Sequence, residues 1–135
     1  MTQEDKNLLL KDLSARLFYG VKIRLGDYDY QVCGYNSEKE MPLKIWYYYD
    51  SNQILKSYID VYLTDYRPYL RPLSSMTKEE EMEYNDLYYD APQFKDGWRD
   101  AKYLEGLHID WLNRKMFDYR GLIPKGLALE APEEM

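Results

Sequence analysis

The chain has 135 residues, 45% hydrophobic and 31% charged, enough for one domain spanning 1–135 and a composition that excludes both disorder and a fibrous repeat. A single cysteine, Cys33, and a single histidine, His108, exclude an intramolecular disulfide and any metal site built on two imidazoles or several thiolates. The net charge of −6 is uneven, since residues 1–76 hold ten basic and ten acidic side chains, 77–90 carry −5, 91–129 carry +2 and 130–135 carry −3; no broad basic stripe for duplex nucleic acid results.

The first segment reads as a helix. Thr2 caps it, Asp5 stands in the capping-box position, and Leu9, Leu13 and Leu17 recur every fourth residue until Tyr19-Gly20. Asp12 and Arg16 are assigned to its other faces. The period then changes to two: Val21, Ile23 and Leu25 alternate with Lys22 and Arg24, and Gly26-Asp27 supplies a two-residue hairpin turn. That turn sets Leu25 opposite Tyr28, Arg24 opposite Asp29, Ile23 opposite Tyr30, Lys22 opposite Gln31 and Val21 opposite Val32, with Tyr28 and Tyr30 on the inner face.

Residues 36–42 read as a polar loop. Leu43 to Tyr49 form a third strand ending at Asp50-Ser51-Asn52, and a fourth runs from about Tyr58 to Thr64. Trp46-Tyr47-Tyr48-Tyr49 is aromatic in both directions, so either both sheet faces are covered or one is a binding surface. Asp65 to Ser75 contains Pro68 and Pro72 and is expected to wrap the sheet edge, anchored by Tyr66, Tyr69 and Leu70. Ser75 or Thr77 caps a second helix running to about Tyr89; 93–97 is a loop. A third helical region covers Trp98 to Phe117 with an interruption at Gly106, and Asp118 to Met135 is a tail with apolar clusters at Leu122-Ile123 and Leu127-Ala128-Leu129. The expected fold is α+β: an N-terminal helix, a bent antiparallel sheet of four or five strands approaching a small barrel, and two C-terminal helices.

Two surfaces are candidates for partner binding. On the second helix Glu79, Glu83, Asp86 and Asp90 fall within about 60° of one another, a carboxylate stripe suited to a basic partner, and Tyr84, Leu87, Tyr88 and Ala91 share a neighbouring face. On the sheet, Trp46, Tyr48, Tyr58 and Tyr62 draw on an unusual supply of 16 tyrosines and form an aromatic surface for a protein or, alternatively, single-stranded nucleic acid. The nucleic-acid alternative would rest on Lys44, Lys56, Arg67 and Arg71, a thin basic groove.

Catalytic patterns are missing from the sequence. His108 belongs to the apolar face of the third helix, Cys33 has no activating neighbour, and Gly121 with Gly126 lacks the Lys-Ser/Thr that follows a phosphate loop. A non-enzymatic interaction protein without metal or cofactor is the expectation. The acidic opening Met1-Thr2-Gln3-Glu4-Asp5 and the lack of an apolar run near ~18 residues point to a cytoplasmic protein that does not enter a membrane.

The run Tyr66-Arg67-Pro68-Tyr69-Leu70-Arg71-Pro72-Leu73-Ser74-Ser75-Met76-Thr77, the segments Asp110-Trp111-Leu112-Asn113 and Phe117 to Glu133, and the opening residues Met1 to Lys6 and Tyr19-Gly20-Val21-Lys22 together resemble a family of small uncharacterised proteins encoded in gut anaerobic bacteria, often in their phages and mobile elements. The resemblance implies an accessory role in a mobile element and carries over no catalytic residue or cofactor. The chain departs from that family's pattern at Arg114-Lys115-Met116, where histidines are common.

Overall fold

Two reciprocal capping boxes define where the first two helices begin. Thr2 accepts from Asp5 N–H while Asp5 accepts from Thr2 N–H, opening α1 (Gln3–Arg16). Thr77 and Glu80 repeat the exchange at the start of α2 (Lys78–Asp86). Each box satisfies backbone donors that a helix end leaves orphaned. The computed structural model describes residues 1–26, 28–35, 43–48, 56–61 and 66–133, with side chains at 1–26, 28–32 and 66–133.

Among the described residues, six strands follow the order β4-β3-β2-β1-β5-β6. They are β1 (Lys22–Leu25), β2 (Tyr28–Tyr35), β3 (Leu43–Tyr48), β4 (Lys56–Val61), β5 (Arg67–Leu70) and β6 (Leu129–Glu130). All neighbours are antiparallel except β5 and β6. The first hairpin has the register derived from its turn, Lys22↔Gln31, Ile23↔Tyr30, Arg24↔Asp29 and Leu25↔Tyr28, and Gly26 has the positive φ (65°) of a primed turn. The sheet is open: β4 and β6 are its edges among the described residues, and the barrel-like closure is not part of this topology.

Several expectations need correction. The Pro-containing segment does not wrap an edge; β5 lies inside the sheet between β1 and β6. Leu70 O accepts from Ala131 N, so by the two-residue period the Pro68 nitrogen also faces the β6 side. There β6 begins only opposite Tyr69, and the missing N–H costs no ladder bond. Strand β4 starts at Lys56, two residues before Tyr58. Gly106 does not interrupt α3 (Ala101–Arg114), which Asp100 caps by accepting from Tyr103 N–H. Tyr28 is 70% exposed at the hairpin tip, while Tyr30 packs against the core.

The main core joins α1 to one face of the sheet through Leu9, Leu13, Val21, Ile23, Val32, Tyr66 and Leu70, closed by Leu122, Leu127 and Ala128 from the C-terminal segment. The segment turns at Asp118, whose carboxylate accepts from Leu122 N–H (2.8 Å) and Ile123 N–H (2.9 Å). Asp12 and Arg16, assigned to faces of α1 other than the leucine stripe, are fully buried. Arg16 Nε donates to Asp12 at 3.0 Å, Arg120 closes on the same carboxylate at 2.8 Å, and Arg16 Nη2 donates to Phe117 O at 2.6 Å. Burying these charges is tolerable because each has an ionic partner.

A second, smaller core holds the C-terminal helices. Trp111, Leu112 and Phe117 are buried there with Met76, Tyr84, Leu87 and Tyr119 around them. Arg71 bridges the two parts: it lies over the Phe117 ring at 4.2 Å and forms a two-pronged pair with Glu80, both contacts 2.7 Å. No helix among the described residues is long and apolar enough to cross a membrane.

Candidate functional site: the acidic and aromatic face of α2 and the following hairpin

The four carboxylates of the expected stripe do meet. Glu79, Glu83, Asp86 and Asp90 line one shallow depression with Met82 and Leu87. Helical periodicity explains it: α2 continues into a tighter turn over Leu87–Asp90, which keeps Asp90 on the side of Asp86. The four are not equivalent. Glu83 accepts from the indole N–H of Trp111 at 3.0 Å and lies 3.9 Å from Lys115 Nζ, so it is tied to α3. Glu79, Asp86 and Asp90 form no ion pair among the described residues.

The neighbouring face of α2 divides in the same way. Tyr84 stacks on His108 at 4.1 Å with rings 17° apart and meets Trp111 edge-on. Tyr88, assigned to the same helical face, is 44% exposed. His108 is thereby half-buried against a phenol, its Nε2 without a hydrogen-bond partner among the described residues. No group of three or more His, Cys, Asp and Glu residues is placed to hold a metal ion among the described residues.

Beyond the Leu87–Asp90 turn the chain holds more structure than the expected loop at 93–97. Residues 93–99 form a small hairpin: Gln93 bridges Arg99, Phe94 N–H donates to Trp98 O at 2.7 Å and Gly97 N–H to Phe94 O at 3.0 Å. Gly97 takes φ 93°, the left-handed conformation that ends such a turn and that a side chain would strain. The signal was present as Asp96-Gly97 between two aromatics, the dipeptide most typical of a hairpin tip. The hairpin carries Phe94 and Trp98 into solvent, 54% and 73% exposed. Arg99 fastens it to the preceding turn by donating to Ala91 O at 3.0 Å and lying over Tyr88 at 5.3 Å. A second depression collects Tyr88, Asp96, Trp98 and Leu104, so the Leu87–Asp90 turn contributes to both hollows. Tyr89 in the Leu87–Asp90 turn and Met82 on α2 are also exposed, 69% and 65%.

Of the aromatic sheet residues, Trp46 is paired with Tyr58 and Tyr48 with Lys56 across β3 and β4. Their side chains, with that of Cys33 and the whole of Tyr62, lie outside the described residues.

Comparisons of the chain with protein-family models, with curated proteins and with solved structures find no match.

Proposed function

We propose that this chain is a protein-interaction module that docks a partner on the face formed by α2, the Leu87–Asp90 turn and the 93–99 hairpin. The partner presents a basic segment with one apolar side. Two observations support the reading: Met82, Tyr89, Phe94 and Trp98 are exposed along these three consecutive elements, and three carboxylates of α2 and its turn, Glu79, Asp86 and Asp90, have no ionic partner among the described residues. Scattered exposed apolar residues need no explanation, but a tryptophan and a tyrosine on two successive turns that follow a run of unpaired carboxylates have the composition of an interface anchor. The aromatic groups would supply affinity by desolvation, and the carboxylates would select a cationic partner and speed encounter. The role is binding, and it requires no cofactor.

The test is a titration of the full chain with two fluorescent synthetic peptides, one an amphipathic helix of Lys and Leu, the other its Glu and Leu counterpart. The basic peptide is expected to bind and the acidic one not. Trp98→Ala with Tyr89→Ala, and separately Asp86→Lys with Asp90→Lys, are each expected to weaken binding by about tenfold or more, equivalent to about 1.4 kcal/mol. Equal affinity for both peptides, or variants that bind like the parent, would overturn the reading.

A further inference from the structure

A further concavity is chemically opposite to the acidic depression. It sits where β1 begins, β5 ends and α3 terminates, encloses about 310 Å³, and is lined by Lys22, Arg71, Arg114 and Lys115 together with Tyr19 and Met116. Four cations therefore arrive from three separate elements. The C-terminus of α3 explains why Arg114 and Lys115 are favourable where they are, since cations offset the negative end of a helix dipole. It does not explain Lys22 and Arg71, which come from the sheet.

The charges are unequally compensated. Arg71 is held by Glu80, Lys115 lies within 3.9 Å of the half-exposed Glu83, and the Tyr19 hydroxyl is engaged with Asp110. Lys22 and Arg114 form no ion pair among the described residues. The wall between them is built from unusual backbone. Met116 has φ 62°, the left-handed conformation, and no other non-glycine residue among those described shares it. It is pinned there by donating to Asn113 O at 3.1 Å and accepting from Arg71 N–H at 2.7 Å. A bulky side chain in that region costs roughly 1–2 kcal/mol, and such outliers gather at ligand sites.

We propose that this cleft binds a small ligand through a phosphate group. Its volume is near the lower end of small-molecule sites, about 300 Å³, which suits a compact molecule better than a polymer lying across the surface. Cations converging from several directions match the tetrahedral oxygens of a phosphate, whereas a carboxylate presents two oxygens in one plane. Arg114 and Lys22 contact the phosphate, fixed Arg71 lends its field, and Tyr69 and Met116 offer apolar contact to the rest of the ligand. Lys115 and Glu83 link this cleft to the acidic depression, but the groups proposed to contact ligand, Lys22 and Arg114, differ from those proposed to meet a partner, so either assignment can fail without the other.

The experiment is an amide-resolved NMR titration of the full chain with inorganic pyrophosphate at low ionic strength. Saturable shifts are expected at Gly20, Lys22, Arg71 and Met116, and Lys22→Gln with Arg114→Gln is expected to weaken binding by about tenfold or more without moving the melting temperature of the free protein. Asp86→Lys, in the acidic depression and outside the cleft lining, is expected to bind pyrophosphate like the parent. An absence of saturation, or equal binding by the double variant, refutes the site. A single-stranded oligonucleotide lacking a terminal phosphate that competes at lower concentration than pyrophosphate refutes the small-ligand assignment and makes the cleft part of a nucleic-acid path.

Discussion

Trp111 is 1% exposed, and its indole N–H reaches Glu83 Oε1 across 3.0 Å. One carboxylate of the α2 stripe is thus structural, whereas the other three form no ion pair among the described residues. Glu83→Ala would leave a buried donor unsatisfied, at a cost of about 1–3 kcal/mol. Glu83→Gln keeps an acceptor in place and should cost less than about 1 kcal/mol. Urea unfolding of the two variants measures the difference, and an alanine variant as stable as the parent would show that the contact carries no weight.

The Arg71 guanidinium, bonded twice to Glu80, holds that carboxyl at about 2, with the Thr77 N–H assisting and partial burial opposing. A folded-state pKa below the unfolded value means stability that is complete above the ordinary carboxylate range near 4.5 and is lost as pH falls from there towards 2. Allowing for screening at a partly hydrated pair, Glu80→Gln should cost on the order of 1–2 kcal/mol at neutral pH. Gln retains the acceptor for Thr77. Parent and variant should converge in stability near pH 2, and a gap that stays constant with pH would rule out the ion pair as its source.

The buried charges of α1 predict asymmetric losses. Asp12→Ala strands Arg16 in the core and should cost about 3–5 kcal/mol. Arg120→Ala leaves the Asp12 and Arg16 pair intact and should cost roughly 1–2 kcal/mol, the scale of one charge-assisted hydrogen bond. Chemical unfolding decides, and equal losses would contradict the geometry.

Tyr66 predicts the opposite sign. Its ring is fully buried, its hydroxyl has no hydrogen-bond partner among the described residues, and burial followed by the nearby Asp12 charge pushes its pKa upward. Tyr66→Phe removes an unsatisfied polar atom and keeps the packing, so stability should be unchanged or higher by up to about 1 kcal/mol. A clear loss in thermal unfolding would reveal a bond to that hydroxyl.

Local signals in the sequence carried far. Thr2 with Asp5 and Thr77 with Glu80 specify their helix starts because a capping box closes within four residues, and Gly26 fixed four cross-strand pairs because a two-residue turn admits one register. What was illegible depends on distant partners. Asp12 and Arg16 look like solvent-facing residues until Arg120 and the Phe117 carbonyl cover them. Pro68 argues against an interior strand until the short reach of β6 is known. The acidic stripe of α2 was legible because helical period alone aligns Glu79, Asp86 and Asp90. The basic cleft was not, because Lys22 and Arg114 meet only through the fold.

The contact of Arg120 with Asp12 spans 108 positions, and that of Arg16 with the Phe117 carbonyl spans 101. An emerging chain therefore meets a delay. Helix α1 and the first hairpin can form early from neighbouring residues, but their apolar side has no lid until Leu122, Leu127 and Ala128 arrive. During synthesis the ribosome would hold a half-built sheet with an uncovered interior and a lone buried-charge pair awaiting its third member. Such long loop closures slow folding, so a fragment cut before residue 120 should behave as an aggregation-prone intermediate and not as a smaller folded unit.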